Sequence, residues 1–436
     1  MKVAVFLHGL GLGGTEKAAA IWAKKLADTP PVTAIRIASL EDGPRRGEWE
    51  KEGLHVQVAD RDALRKTIAW ADVIHSHFLD VPAASTFLTD AIQRSGRKIP
   101  VVETNVFGRI SSLPTEQTEV SHRLFISWIS CVQAARRSGL TLDAAFFRRQ
   151  GVAVYPVEAW SAPELQSLQR EAQDWRNAVG LNPSHVLFGR FSRPEPNKWE
   201  AMILKAFLRA YRKNSLIRLL LREPPPAIAS ELIRRNLAAG VGETDPRKPV
   251  LLWPVTADPR QLAVSQSACD VTLHTSSIGE SFGYGIAEPM ALGKPVITHS
   301  VPWHDQAQLE LVQPEKTGLV ASITPSLANS ILELAGNPIW REALGQAARQ
   351  HILKLADPGI SVHRLVVALR CAMENSENPA ALRDSERAQS TAAYLDQTQW
   401  GSGLAERLYL AIKAAWVGGL RLQRKLRGFH KPAVEN

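Results

Sequence analysis

The chain has 436 residues, a net charge of +9 and a hydrophobic content of 45%. This length is too great for one ordinary core, so we expect two domains of a soluble globular protein. The three cysteines are widely spaced (Cys131, Cys269 and Cys371) and match neither a metal-binding nor a redox pattern. The apolar start predicts a strand rather than a signal peptide, and no run of 18 apolar residues is found, so we expect a cytoplasmic protein.

The chain begins with a pattern typical of phosphate binding. Residues 2–7 (KVAVFL) predict a buried strand that opens onto a glycine-rich turn and a helix over residues 15–27. Glycines such as Gly13 and Gly14 let a phosphate approach the free N–H groups at the helix start. Two interpretations stay open: a diphosphate cradle, and the G-x-G-x-x-G loop of an NAD-dependent enzyme, which would begin at Gly9.

Strand and helix patterns then alternate through the first 160 residues. Further strands are predicted over 33–39, 55–58, 72–77, 99–103, 124–128 and 151–156, with a helix over 81–94. Such alternation indicates a parallel, doubly wound sheet, whose active residues lie at the carboxyl ends of its strands. His75 and His77 end one strand, and Asn105 follows another. A functional role and simple packing are both open for the two histidines.

A second set of elements follows a linker predicted near residues 156–163. A helix over 164–179 leads to a strand over 185–190, and a proline-broken loop then precedes a helix from residue 198. Arg190 at the strand end and Lys198 at the helix start provide the fixed positive charge that diphosphate binding requires. Two solvated loop cations are the alternative. Further strands are predicted over 217–222, 250–254, 270–274 and 296–299, and helices over 326–335, 338–355 and 361–373.

The most informative stretch is a strand, turn and helix over residues 270–292. Glu280 and Glu288 are eight residues apart, which on a helix places them about 80° and two turns from each other. Gly283 and Gly285 let another molecule approach the helix start, which carries the positive end of the helix dipole. Two carboxylates beside an anion-binding helix start suit a ligand with hydroxyls and phosphate, so we infer a sugar nucleotide.

This stretch resembles the E-x7-E signature of the retaining glycosyltransferases of glycosyltransferase family 4, which have the two-domain GT-B fold. The resemblance implies that Glu288 binds the ribose hydroxyls of the nucleotide and that Glu280 faces the donor sugar. The segment GGTE at residues 13–16 is similar to the N-terminal loop of the same family, where the glycines approach the donor diphosphate. Arg190 and Lys198 resemble its G-R-loop-K element.

The predicted site follows from this resemblance. Its catalytic residues are Arg190, Lys198 and Glu280. Its donor-binding residues are Gly13, Gly14, Asn105, Ser281, Phe282, Gly283, Tyr284, Gly285 and Glu288. His75 and His77 are placed on the acceptor side, because D-x-x-H-x-H resembles a recurring family segment.

Two positions depart from the family pattern. Asn105 stands where relatives often carry a histidine that contacts the donor sugar, and a neutral amide can hydrogen-bond a hydroxyl but cannot titrate near neutrality. The family's N-G-hydrophobic-D segment is replaced by VEAW at residues 157–160. These departures keep open a second interpretation, a catalytically weak, GT-B-like binding scaffold. An NAD-dependent Rossmann enzyme is the third interpretation.

We therefore predict an α/β protein of the GT-B fold, with two Rossmann-like doubly wound domains facing a central cleft. The first domain spans 1–160 and is closed by a helix over 361–375, and the nucleotide-sugar domain spans 164–358. We expect transfer of a sugar, with retention, from a nucleoside diphosphate sugar to a saccharide or lipid-linked acceptor in cell-surface polysaccharide or glycolipid assembly. Neither a metal nor another cofactor is expected, because basic groups and helix dipoles would neutralise the leaving diphosphate.

The remaining 376–436 segment predicts a polar, flexible linker followed by a basic amphipathic tail. Apolar residues recur every four positions at Leu404, Leu408, Ile412, Trp416 and Leu420. Basic residues surround them at Arg407, Lys413, Arg421, Arg424, Lys425, Arg427 and Lys431. A helix of this kind over 404–431 suits an anionic membrane surface, on the inner face of the membrane. A helix docked on the body or on a second subunit is the alternative.

Nucleic acid is not an expected partner, since no aromatic-basic module accompanies the net positive charge of the chain.

Overall fold

The computed structural model describes residues 1–77, 81–108, 110, 119–222, 224–256, 258–401 and 403–428, with side chains as far as Leu420. Within these residues the chain forms two large parallel β-sheets, each with hydrophobic cores on both of its faces.

The N-terminal sheet has, among the described residues, seven parallel strands in the order β3-β2-β1-β4-β5-β6-β7. The strands are β1 (Lys2–Leu7), β2 (Ala34–Ser39), β3 (Val56–Val58), β4 (Val73–His77), β5 (Val101–Asn105), β6 (His122–Phe125) and β7 (Gln150–Val152). Its helices are α1 (Gly14–Ala27), α2 (Arg46–Lys51), α3 (Arg61–Trp70), α4 (Pro82–Arg94) and α5 (Trp128–Arg137). In β1, Val3 and Val5 face one core while Ala4 and Phe6 face the other, so the sheet is doubly wound as predicted.

The C-terminal sheet, over the same described part of the chain, has six parallel strands in the order β10-β9-β8-β11-β13-β15. These strands are β8 (Val186–Phe191), β9 (Ile217–Arg222), β10 (Val250–Trp253), β11 (Val271–Leu273), β13 (Val296–Thr298) and β15 (Gly318–Val320). A short parallel pair, β12 (Gly279–Glu280) and β14 (Asp305–Gln306), lies beside it. The helices are α6 (Ala162–Ala178), α7 (Met202–Tyr211), α8 (Pro226–Arg234), α9 (Pro259–Ala268), α10 (Tyr284–Ala291), α11 (Gln308–Leu311), α12 (Thr324–Gly336) and α13 (Pro338–Leu355).

The chain then returns to the N-terminal sheet through α14 (Pro358–Glu374). Asp357 caps this helix by accepting from the N–H of Ile360 at 2.7 Å, which explains why α14 begins earlier than the predicted residue 361. The Trp22 indole N–H of α1 donates to the Ser361 hydroxyl at 2.8 Å. The helix α14 therefore docks on α1 of the N-terminal domain.

The segment after α14 differs from its prediction. Residues 376–391 were expected to be flexible because they are polar, but α15 (Ala381–Thr398) occupies most of this segment. The helix packs on α5 and buries Ala388 and Leu395, while the buried Asp384 carboxylate accepts from Arg364 at 2.6 and 2.8 Å. A few well-placed contacts thus order a helix whose average composition is polar.

The last helix, α16 (Leu404–Gly428), contacts the body along one side. Leu410 is fully buried, and the buried carboxylate of Glu406 accepts from the Ser322 N–H at 2.7 Å. No helix within the described residues is long and apolar enough to cross a membrane. Of the basic residues predicted for the tail, Arg421, Arg424, Lys425 and Arg427 belong to the part described by backbone alone, and Lys431 lies outside the described residues.

Candidate active site

The predicted donor motif lies where β11, β12 and α10 meet. Gly283 directly precedes α10 and has a φ of 107°, a left-handed conformation that favours glycine. Gly285 lies in the first turn of α10, where an added Cβ would overlap the carbonyl oxygen of Phe191 at the end of β8. Glycine is therefore needed at both positions to bring the helix start against the strand end.

Glu280 is held in an ion-paired cluster. Both of its carboxylate oxygens lie 3.0 Å from Nζ of Lys198, and Nε2 of His274 lies 3.1 Å from Oε1. Its backbone is also fixed, because its N–H donates to the Gln308 side chain at 3.1 Å and its carbonyl accepts from the Ala307 N–H at 2.8 Å. Burial alone would raise the pKa of Glu280, but Lys198 and His274 outweigh burial and lower that pKa to about 2. The carboxylate is therefore ionised at neutral pH.

Arg190 and Lys198 are brought together, but their positions differ from the prediction. Lys198 ends a short 3-10 turn (Pro196–Lys198) and is the cation that contacts Glu280. The guanidinium of Arg190 is fully buried, with its central carbon 3.7 Å from the centre of the Trp199 ring. It donates to the carbonyl oxygens of Lys198 and Thr275. In this conformation Arg190 fixes the backbone around Lys198 and does not present its own charge to an open site.

The helix predicted to start at Lys198 also begins later. Trp199 has an extended backbone, with a φ of −112° and a ψ of 134°, and α7 starts only at Met202. The extended backbone accompanies the packing of the Trp199 ring on Arg190. The sequence pattern, which predicted a helix here, did not reveal this cation–π contact.

Glu288 lies inside α10, where its carboxylate joins the two domains. Oε1 accepts from Nζ of Lys17, a residue of α1, and Oε2 accepts from Nε2 of Gln266 at 3.1 Å. The Glu288 side chain is 16% exposed, so part of it is accessible to a ligand. A partly exposed carboxylate can exchange an ammonium partner for the hydroxyls of a ligand.

The predicted diphosphate loop faces this motif across the domain boundary. Gly13 caps α1 and Gly14 begins it, and a Cβ added to Gly14 would lie 2.8 Å from the ring of Tyr284. The Tyr284 hydroxyl donates to the carbonyl oxygen of Pro156 at 2.8 Å. The first residue of α10 therefore contacts both the glycine loop and the predicted interdomain linker.

The other two motif residues serve mainly to hold the loop. Phe282 is 3% exposed and packs against Tyr155 and Tyr284, with ring centres 5.7 and 5.1 Å away. The Ser281 hydroxyl donates to Asp305 at 2.6 Å, and its carbonyl oxygen accepts from the Ser127 hydroxyl at 3.1 Å. Ser127 caps α5, so the N-terminal domain helps to position the loop that carries the donor motif.

The structure places His75 and His77, which were predicted on the acceptor side, in the core of the N-terminal domain. Both side chains are fully buried, their ring centres are 4.5 Å apart, and both pack against the indole of Trp22. Burial lowers the pKa of His75 to about 3 and that of His77 well below its usual value, so both are neutral. They are core residues, the second of the two interpretations given above. Asn105, the last residue of β5, is 4% exposed and so is also largely buried.

Sequence reasoning missed three residues of the cluster. Lys17 and Gln266 bind Glu288, and His274 binds Glu280. Two of them had a usable signal, because Lys17 directly follows the GGTE segment and His274 directly follows the strand before the motif. Gln266 lies within α9 and carries no such signal.

Comparison with known proteins bears on the fold and on the class of protein. The model of the family described as glycosyl transferases group 1 matches residues 252–351, which include Glu280 and Glu288. No curated protein matches the chain in sequence. The fold is that of solved GT-B glycosyltransferases, and the prediction of two Rossmann-like domains with a helical tail is confirmed.

Three solved structures illustrate the similarity. HepE of Anabaena, solved with UDP-glucose, is 19% identical, with a TM-score of 0.66 over 85% of this chain and 99% of HepE. A glycosyltransferase of Rickettsia africae is 13% identical, with a TM-score of 0.66 over 86% of this chain and 99% of that protein. A sucrose-phosphate synthase of Thermosynechococcus elongatus is 15% identical, with a TM-score of 0.58 over 86% of this chain and 100% of that protein.

These findings define the class of protein. The chain has the GT-B fold, and the segment that carries its two glutamates matches the group 1 glycosyl transferases. The protein is therefore an enzyme, a glycosyltransferase, as predicted.

Proposed function

We propose that this glycosyltransferase moves a sugar from UDP-sugar to a saccharide or lipid-linked acceptor, with retention of configuration and without a metal ion, in cell-surface polysaccharide or glycolipid assembly. One observation carries the proposal: the ionised Glu280, bound by Lys198, lies on the same motif as the accessible Glu288. The choice of uridine rests on HepE, whose structures contain UDP and UDP-glucose.

The charges of the cluster suit this reaction. When the bond between the sugar and the diphosphate breaks, positive charge develops on the sugar ring and negative charge on the departing phosphate. Glu280 would stabilise the ring, while Lys198 and the positive end of the α10 dipole would stabilise the phosphate. The acceptor hydroxyl would lose its proton to the leaving phosphate, so this proposal assigns no protein base. Arg190 acts indirectly, by fixing the backbone of Lys198.

Nucleotide binding tests the proposal first. In calorimetric titrations with UDP, GDP, ADP and NAD, we expect UDP to bind and Glu288→Ala to abolish that binding, because Glu288 would bind the ribose. Lys17→Ala is the matched control, since it breaks the same ion pair but leaves the carboxylate. It is expected to retain UDP binding or to strengthen it.

Other results would favour the alternatives. Binding of NAD alone would support a dinucleotide enzyme. UDP-sugar binding without UDP release, in the presence of saccharide and lipid acceptors, would support a scaffold. Equal loss of UDP binding in Lys17→Ala and Glu288→Ala would show that the ion pair between the domains is needed and would remove the reason for a ribose contact.

We also propose that α16 places the enzyme on an anionic membrane. Its side chains at Leu404, Leu408, Ile412 and Trp416 are each 60% exposed or more. Positions four apart advance by about 40°, so these four residues cover about 120° of the helix surface. The opposite side is docked through Glu406 and Leu410, so this apolar stripe points away from the body. The cations of the same helix complement anionic lipid, each contributing about 1 kcal/mol near the surface.

Vesicle sedimentation tests this membrane contact. The protein is expected to sediment with vesicles containing phosphatidylglycerol and less with pure phosphatidylcholine, and Leu408→Ser with Trp416→Ser is expected to release it. Leu382→Ser is the matched control, because Leu382 is 65% exposed but lies on α15. Equal sedimentation of the double variant and the wild type would contradict the proposal.

A further inference from the structure

A second candidate binding site lies away from the donor motif, between the β6–β7 edge of the N-terminal sheet and the helices α14 and α15. It is a cavity of about 410 Å³. Its walls carry a group of basic and imidazole side chains: His122, Arg123, His363, Arg364, Arg383 and Arg387. None of these residues belongs to the donor motif, so the cavity needs a separate explanation.

The basic side chains that line this cavity are only partly balanced by protein carboxylates, since Arg123 pairs with Glu103 from outside the lining. Among the described lining residues, Asp384 is the one acid, and Arg364 binds it at 2.6 and 2.8 Å. Asn378 donates to the same carboxylate at 3.1 Å. Within the described part of the chain, neither Arg383 nor Arg387 has a carboxylate within 4.0 Å. Two guanidinium groups at the cavity are therefore available to an anion.

Buried polar atoms at the same cavity also lack partners. His122 is 2% exposed, and within the described residues its ring has a backbone contact with Ser376 but no side-chain hydrogen-bond partner. The buried Oε1 of Gln150, on the neighbouring strand β7, has none either. A buried polar group without a partner costs free energy, and a bound ligand that offers both donors and acceptors would satisfy these atoms.

The size of the cavity limits the ligand. A second cavity of about 320 Å³ shares Val152, Arg364 and Arg387 with the first and adds Lys354 to its walls. Volumes of this order hold a metabolite rather than a protein segment. Arginine binds phosphate with two parallel hydrogen bonds, and several arginines at one cavity favour a phosphate group over a single carboxylate.

We propose that this cavity binds a small phosphate monoester, whose phosphate is held by Arg383 and Arg387 and whose polar groups reach His122 and Gln150. The site extends beyond the transfer reaction, because it neither includes nor requires the donor motif. The cavity is nevertheless close to α5, the helix whose cap residue contacts that motif. Arg387 lies 4.6 Å from the centre of the Trp128 ring, at the first residue of α5.

Calorimetry with inorganic phosphate and with glucose 6-phosphate, at low ionic strength, tests the proposal. The wild type is expected to bind both probes, and Arg383→Ala with Arg387→Ala to weaken binding about tenfold or more, through lost charge-assisted hydrogen bonds. Arg370→Ala is the matched control on α14, since Arg370 is exposed and does not line the cavity. Both substituted arginines are exposed, so the double variant is expected to stay folded, and its thermal midpoint should fall only by the loss of the Arg387–Trp128 contact, about 0.5–1 kcal/mol.

Lys198→Met separates this site from the cleft. It is expected to bind the two probes as the wild type does, whether or not the proposed transferase reaction is correct. Binding that is lost in Lys198→Met but kept in the double arginine variant would assign the phosphate to the cleft and overturn the proposal. No binding of either probe to the wild type, or equal affinity in the double variant and the wild type, would overturn it as well.

Discussion

Replacement of Lys198 by methionine tests the role of the Lys198–Glu280 ion pair in the proposed mechanism. The ammonium lies 3.0 Å from both oxygens of Glu280, and at an effective dielectric constant near 20 this distance corresponds to an attraction of about 5 kcal/mol. If Lys198 also neutralises the leaving phosphate, its loss removes one preorganised charge from the transition state. We therefore expect kcat for UDP release from UDP-glucose to fall about 10²–10³-fold, as for the loss of a comparable group in other enzymes.

The same substitution has a second expected effect, on pH dependence. Lys198 is the largest of the influences that lower the pKa of Glu280, whereas burial raises it. Without Lys198, the pKa of Glu280 is expected to rise, so the carboxylate becomes protonated at a higher pH. The acidic limb of the kcat profile should therefore move to higher pH in Lys198→Met and much less in Lys198→Arg, which keeps the charge.

The assay measures UDP release from pH 4 to pH 9, with thermal melting as a check of folding. Lys205→Met is the matched control, because Lys205 is exposed on α7. Wild-type kcat in Lys198→Met would refute the role of Lys198. A lower kcat with an unchanged acidic limb would refute the argument that Lys198 acts through the ionisation of Glu280.

Three further predictions concern stability and one residue of the acceptor-side prediction. Burial raises the pKa of Glu310 to about 7, so the contribution of Glu310 to stability should be fully present below about pH 4.5 and be lost as pH rises through 7. Glu310→Gln should remove up to about 3 kcal/mol of pH-dependent stability in melts at pH 5 and 8, and an unchanged pH dependence would contradict this. Gly285→Ala should lower the thermal midpoint, costing about 1–3 kcal/mol, because its Cβ would overlap Phe191, whereas Gly47→Ala, with open space around it, should not. His77→Leu should leave UDP release unchanged, because the buried ring nitrogens of His77 make no hydrogen bond in the described structure. A large loss of kcat would instead support a role for His77 in the site.

The sequence was sufficient to predict most elements of the fold, although not helices such as α8, α9 and α15. Alternating apolar runs and turn signals are local properties, so the strand over 217–222 and the helix over 338–355 were predicted to the residue. The donor motif was also recognisable, because its two glutamates and its glycines lie within nine residues of one another. Local spacing is the kind of information that a single sequence contains.

Contacts between distant residues were not predictable in this way. Lys17 and Glu288 are 271 positions apart, and no periodic pattern connects them. The strand-end rule left open whether His75 and His77 serve the site or the core, and the sequence did not reveal that Trp22 of α1 packs against both. The burial of Arg190 was not predictable for a similar reason, since the Trp199 ring packs on it.

The proposed donor site is connected to the relative position of the two domains. Glu288 is the proposed ribose ligand, yet its carboxylate now binds Lys17 from the other domain. A ribose that takes this carboxylate must displace Lys17 or share it. Linkage is reciprocal. Any force that separates α1 from α10 would then strengthen nucleotide binding, and nucleotide binding would favour separation of the two helices. Tyr284 limits that movement, since it contacts the glycine loop through its ring and the linker through its hydroxyl. The helix α10, which carries Glu288, would therefore also transmit the effect of nucleotide binding from one domain to the other.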